Sequence, residues 1–289
     1  MKLSKDNRFA KMLDDRLSII EDSYGKTNLN IPINVLQARM VDSVEEIGLT
    51  YLLNYQTIRL GNAINISIYG KEFYPVINKA MKDSAETSGI KLEINEAPSY
   101  VTEVVNRRRS IRKYSGKAIS LNALSNIIVG SQSMHENQGF ILKTTPSGGG
   151  LYPIELYFYA KHIEGLQEGL YKYEAVNQIL KLIKSGGYSK VKEILSNQVV
   201  LDIEHCAGIF FFVYDYEKNY QKYGDLAMGL GFIETGCIAQ TIHILSVDNH
   251  VGTCDIGGFD KPLSEEWLGV DGINKHCIYS IICGGLQDA

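Results

Sequence analysis

A chain of 289 residues, 45% of them apolar and 21% charged, has material for one large buried core or two smaller ones. Its formal charge of −4, from 29 basic and 33 acidic residues, excludes a global electrostatic case for nucleic acid. The opening MKLSKDNRFAKMLDDRLSII lacks a signal-peptide core, and CAGIFFFVY is only half of the ~20 apolar residues a spanning helix needs. A cytoplasmic protein with no membrane or nucleic-acid partner is expected.

The first hundred residues carry mainly helical periodicity, over Lys5–Glu21, Val44–Leu60 and about Phe73–Ser84. A short strand is expected at Lys91–Asn95, then a helix from Tyr100 into Arg107-Arg108-Arg109. Ser120 suits the N-cap of a helix over Leu121–Val129. Next comes TTPSGGGLYPIELYFYA, Thr144–Ala160, where three glycines precede a strand at Ile154–Ala160. Such backbone freedom costs entropy, so the segment is either a flexible turn or a place where backbone lies against a ligand. A hairpin follows, Gly169–Tyr173 and Ile179–Ile183 about a turn near Asn177, and then a helix at Tyr188–Ser196.

Gly208–Tyr214 is a continuous apolar run, as for a strand buried on both faces. A long helix is expected over Lys222–Val247. In it Gly224 and Gly231, and Gly229 and Gly236, fall seven apart, which suits close packing in a core or at a subunit interface. Val251–Asp260 reads as a backbone-exposing segment, and Cys277–Cys283 as a last strand. The interleaving lacks strict βαβ alternation, so an α+β fold with a mostly antiparallel sheet is expected.

The five cysteines, Cys206, Cys237, Cys254, Cys277 and Cys283, stand singly in apolar surroundings with no C-x-x-C pair, as reduced buried thiols do. His205-Cys206 and His276-Cys277 would point to opposite faces of a strand, so no metal site is expected. Arg107–Ser115 is the densest positive charge in the chain. Planar guanidinium donors with a serine hydroxyl match a phosphate, and a solvated helix end is the alternative. Lys222-Tyr223, at a strand–helix junction, offers groups for proton transfer or is a pair of surface residues at a helix start.

Together these residues resemble a known family. Arg108-Arg109-Ser110-Ile111-Arg112 is similar to the opening motif of the FMN-binding nitroreductase superfamily. Pro146-Ser147-Gly148-Gly149-Gly150-Leu151-Tyr152-Pro153-Ile154-Glu155 resembles the PSGG-LYP-E segment of its SagB-type branch, the azoline dehydrogenases of thiazole/oxazole-modified microcins and streptolysin-like toxins. Lys222-Tyr223, Glu234-Thr235-Gly236 with Gln240, and Gly257-Gly258-Phe259 agree in order, so the resemblance covers about Asn106–Gly285.

The resemblance implies a nitroreductase-like fold over residues 101–289, with helices around a mostly antiparallel sheet and a long core helix at a homodimer interface. Residues 1–100 match no motif and would be a dimer arm or a partner-docking element. Arg108, Arg109, Ser110 and Arg112 would hold the phosphate and ribityl chain of FMN. Pro146, Ser147, Gly148 and Gly149 would lie near the flavin ring, with Gly257 and Gly258 as further backbone contacts. The implied reaction is oxidation of a thiazoline or oxazoline in a precursor peptide, alongside cyclodehydratase partners. Tyr223 would be the base and Lys222 would stabilise its phenolate, with the reverse assignment open. One departure stands out: the family carries two arginines where this chain has Leu226-Ala227-Met228-Gly229. The alternatives are an NAD(P)H-dependent flavin reductase and a catalytically degenerate scaffold subunit.

Overall fold

The computed structural model describes residues 47–54, 90, 92, 99–137 and 139–287. The helices expected at Lys5–Glu21 and Phe73–Ser84 lie outside the described residues, as does the Lys91–Asn95 strand apart from Leu92. Helix α1, Ile47–Asn54, falls inside the expected Val44–Leu60. Helix α2, Tyr100–Arg107, starts at Ser99, whose side chain accepts from the Thr102 amide. Helix α3, Leu121–Gln132, is capped as expected by Ser120, which accepts from the Ala123 amide.

Strands β1, Met134–Asn137, and β2, Phe140–Lys143, form an antiparallel hairpin of their own. A single 3₁₀ turn, Gly148–Gly150, then leads into the main sheet. Its strands are β3, Ile154–Ala160; β4, Gly169–Glu174; β5, Ile179–Ser185; β6, Gly208–Asp215; β7, Val251–Ile256; and β8, Lys275–Gly285. They lie in the order β5-β4-β3-β6-β8-β7, with every neighbouring pair antiparallel. All eight residues of β6 are buried, because the sheet is covered on both faces. Phe210, Phe212 and Tyr214 pack toward α3 and the long helix α6, Leu226–Asp248. Ile209, Phe211 and Val213 pack toward α4, Tyr188–Ile194, and α7, Lys261–Leu268.

The structure corrects the sequence reading in three places. Helix α5, Glu217–Tyr223, ends at Gly224, whose φ of 55° breaks the expected Lys222–Val247 helix before α6 begins. Lys222-Tyr223 therefore closes a short helix instead of opening a long one. Val251–Ile256 is strand β7 rather than a loop, which leaves only Gly257–Asp260 as a connection. Helix α6, 23 residues long with a mean hydropathy of 1.3, is long and apolar enough to cross a membrane by composition alone, which the reading of apolar runs overlooked. In this fold it buries Gly231, Thr235, Ile238 and Ile242 in the core instead.

Gly231 sets how closely α6 lies on the sheet. A Cβ there would stand 2.8 Å from the Tyr214 ring, whereas at Gly229 or Gly236 it would meet nothing within 4 Å. Gly231→Ala should therefore lower unfolding free energy by about 1–3 kcal/mol in urea titrations, since the ring must move to admit the methyl. Unchanged or increased stability would mean that the helix shifts freely.

Candidate flavin site

Two motifs more than 70 residues apart meet at the first half of the site. The glycine turn is pinned by Ser147: its carbonyl accepts from the Gly150 amide at 3.1 Å, and its hydroxyl accepts from the Tyr152 amide at 2.9 Å. Gly149 and Gly150 adopt φ of 66° and 68°, and Tyr152 follows at 48°. A Cβ on Gly149 would lie 2.4 Å from the Tyr223 hydroxyl oxygen and 2.7 Å from Lys222 Nζ. Glycine suits the left-handed backbone here, and a methyl group would also push aside the ends of these two side chains. Lys222 Nζ also stands 5.2 Å from the centre of the Tyr223 ring.

The corner that presents the pair is built from residues with no signal in the sequence. Tyr214 donates from its hydroxyl to Asn219 Oδ1 at 2.8 Å, and Asn219 Nδ2 donates to the Ala227 carbonyl at 3.0 Å. This buried link ties β6, α5 and α6 together across the break at Gly224. Gly148 abuts Leu230 of α6. One turn further along α6, the Glu234 carboxyl is buried and hydrogen-bonded to Ser147, and its Oε2 has no partner among the described residues. Burial raises its pKa above the ordinary carboxyl range, against the opposing pull of the Ser147 bond and the Lys143 charge. Gly149 of the glycine turn thus meets Lys222 and Tyr223 within one chain.

The arginine motif forms the second half. Ser110 bridges to Thr253 of β7, and the Ile111 amide donates to the Thr253 carbonyl at 2.8 Å. Arg108 is half-buried, while Arg109 and Arg112 are exposed. Arg109 Nη1 donates to the Asn106 and Arg108 carbonyls at 2.8 and 2.7 Å, so this residue also caps the end of α2. His243 of α6 lies between Thr253 Oγ1 at 2.6 Å and Asp255 Oδ1 at 2.8 Å. Burial pushes the Asp255 carboxyl up, but His243, Tyr279 and the Arg108 charge outweigh it and hold the group below the usual range. Gly257 and Gly258 directly follow β7, and the Gly258 carbonyl accepts from Gln198 Nε2. Arg108 lies close enough to Asp255 to act on it, and with Arg109, Ser110 and Arg112 following it in the same segment this is a donor set that fits the phosphate of FMN.

The chain does not bring its two halves together. Leu230 stands at the glycine turn and His243 at β7, so thirteen residues of α6, about 20 Å of helix, separate them. Between them α6 exposes Ile233, at 65%, with Gly236 and Gln240, and Leu226 at the start of the helix is 64% exposed.

An antiparallel six-stranded sheet crossed by one long apolar helix, with a glycine turn at that helix and an arginine segment beside β7, is a nitroreductase-like α+β fold. The chain belongs to the Nitroreductase family, whose model matches residues 105–285 and whose homologues are flavin oxidoreductases. The protein MJ1384 of Methanocaldococcus jannaschii, classed among nitroreductases, is 27% identical over 165 residues, 56% of this chain and 81% of that protein. Two solved structures share the fold. A nitroreductase-type protein of Anabaena variabilis aligns with a TM-score of 0.56 at 21% identity, over 71% of this chain and 45% of that one, so this chain spans under half of its length. A chain of the E. coli microcin synthetase McbBCD complex, solved with truncated pro-MccB17 bound, aligns with a TM-score of 0.59 at 15% identity, over 91% of this chain and 100% of that one.

Gly149→Ala should displace Lys222 and Tyr223 and lower unfolding free energy by about 1–3 kcal/mol. Gly150→Ala, where a Cβ meets nothing within 4 Å, should cost only the left-handed backbone penalty of about 1 kcal/mol. Paired denaturation curves, with the Tyr223 ring signals followed by NMR, check this. Equal costs with unmoved Tyr223 signals would contradict the contact.

Proposed function

We propose that this protein is an FMN-dependent azoline dehydrogenase, which oxidises thiazolines or oxazolines in a ribosomally made peptide to thiazoles or oxazoles. The observation that carries this reading is the contact of Gly149 with Lys222 and Tyr223, which sets a proton-transfer pair against a bare backbone surface. Aromatising an azoline removes a proton from one ring carbon and a hydride from its neighbour. FMN, when bound, supplies the hydride acceptor and is reoxidised by dioxygen. The protein's part is to take the proton and position the ring. In this reading Tyr223 accepts the proton with the Lys222 ammonium beside it, and the reverse assignment stays open.

The two halves of the site meet in a homodimer in this reading. Antiparallel crossing of α6 with its copy would cover Leu226, Ile233 and Gly236 and set the glycine turn of one protomer beside the arginine pocket of the other. Arg108, Ser110 and Arg112 would then hold the phosphate and ribityl chain. Arg109 would join them at the mouth of the pocket while it caps α2, and Gly257-Gly258 would add backbone contacts. The alignment over the whole length of a chain from a microcin synthetase complex supports an enzyme that acts on a peptide beside partner proteins; that it is cytoplasmic and its partners cyclodehydratases is part of the proposal. Residues 1–100 are the docking or dimer arm in that arrangement.

A second reading, an NAD(P)H-dependent flavin reductase, is favoured by one feature: exposed Leu226 begins the stretch where related azoline dehydrogenases carry arginines. Mass spectrometry separates the two. Wild-type protein loaded with FMN should remove two hydrogens from a thiazoline peptide. Lys222→Ala and Tyr223→Phe should keep the flavin and lose about 100-fold or more in that rate. Steady NAD(P)H oxidation with an unchanged peptide mass, or loss of flavin from both variants, would overturn the assignment.

A further inference from the structure

Beside the glycine turn lies an open cleft of about 460 Å³, between β3, the β4–β5 turn, the end of α3 and the start of α5. Three lysines line it, Lys143, Lys172 and Lys218, together with two carboxylates, Glu155 and Glu174. The carboxylate at its floor is already satisfied. Glu155 takes Lys172 and Lys275, each at 2.8 Å, and Asp215 behind it takes Lys275 at 3.2 Å. Burial pushes the Glu155 carboxyl up, but those two lysines outweigh it and bring it down to about 2. Lys218 stands further off, 3.6 Å from Glu155 and 3.7 Å from Asp215. Glu174 makes no ion pair among the described residues.

Lys143 is the unusual member. It is half-buried, and its contacts are neutral: Nζ donates to Gln132 Oε1 at 3.1 Å and lies 5.3 Å from the centre of the Tyr152 ring. Burial lowers its pKa; the Glu234 charge opposes that shift, and the weaker Lys218 charge adds to it. Lys143 thus faces the cleft with neutral partners only, and Lys218 beside it is held at 3.6 and 3.7 Å by carboxylates that it shares with Lys172 and Lys275. The cleft also adjoins the proposed reaction site. Lys218 sits one helical turn before Lys222 on α5, so both project from the same side. Tyr152 lies two residues beyond Gly150.

We propose that this cleft binds a carboxylate of the peptide substrate between Lys143 and Lys218, and so selects peptides with an acidic group close to the ring to be oxidised. The inference rests on the peptide-oxidising reading for the identity of its ligand. A carboxylate would complete Lys143 with a charge-assisted hydrogen bond and relieve its repulsion with Lys218. The negative group could be an acidic side chain or a C-terminal carboxylate, and the chemistry at the two lysines is the same.

The test uses the full-length protein with ¹³C-labelled lysine and three capped tripeptides, observed by NMR without turnover. They are Ac-Gly-Glu-Gly-NH₂, Ac-Gly-Gln-Gly-OH and Ac-Gly-Gln-Gly-NH₂, carrying a side-chain carboxylate, a terminal carboxylate and none. One or both of the acidic peptides should shift the Lys143 and Lys218 signals saturably, and which one does so identifies the source. The neutral peptide should leave them in place. Lys143→Met should weaken binding about tenfold, and Lys218→Met, at a more exposed position, should weaken it several-fold. Equal shifts from all three peptides, no shifts at all, or affinities unchanged in both variants would overturn the proposal. Because no azoline is present, this outcome is independent of whether the protein oxidises one.

Discussion

The site depends on how closely α6 lies against the central strand, and that distance is set where Gly231 rests on the Tyr214 ring. The same tyrosine donates its hydroxyl to Asn219, which in turn binds the Ala227 carbonyl at the start of α6. One aromatic side chain thus fixes both the depth of the helix and the corner that precedes it. From that corner Lys222 and Tyr223 reach back to Gly149. Further along, Leu230 and Glu234 support the glycine turn, and His243 holds Thr253 and Asp255 in the strand beside the arginines. A helix seated less deeply would disturb every one of these contacts.

Charge is distributed to match. The chain is slightly acidic overall, yet Arg108–Arg112 gathers positive charge beside β7, where Asp255 is shared with His243. A second cationic group, around Lys143 and Lys218, is set over the sheet near the glycine turn. Between them lies an exposed face of α6 that is apolar and small-residued. A helix that is apolar on nearly all sides is expected to be covered on nearly all sides, and the sheet with α1, α2, α3 and α5 still leaves Leu226, Ile233, Gly236 and Gln240 exposed. A second copy of the chain would cover the rest and join the two halves.

Much of this was legible in the sequence. The Ser120 cap and the doubly buried GIFFFVY strand carry strong local signals, and each lies where it was expected. The hairpin β1–β2 was not legible, because MHEN and FILK are largely exposed and lack a two-residue alternation. Strand β7 was masked by its glycine and by the Gly257-Gly258 that follows. The break at Gly224 was misread because apolar residues continue on either side of it. Helix α7 did carry readable marks, Asp260 as N-cap, Pro262 in its first turn and Gly269 as a left-handed C-cap, and these were overlooked. Tyr214, Asn219, Glu234 and His243 act through long-range contacts, so nothing local announces their roles. The glycine triplet changed meaning: Gly149 takes a left-handed turn directly against the protein's own Lys222 and Tyr223.

The central claim is that one flavin site is assembled from the α6 ends of two protomers. The most direct measurement is FMN released on denaturation, per chain, for wild type and Ile233→Asp, with the mass of each in solution. Ile233 is 65% exposed and contributes to neither half of the site. The account predicts a wild-type dimer carrying FMN, and a folded Ile233→Asp monomer that has lost it although every binding residue remains. A monomeric Ile233→Asp variant that retains the full flavin content would contradict it.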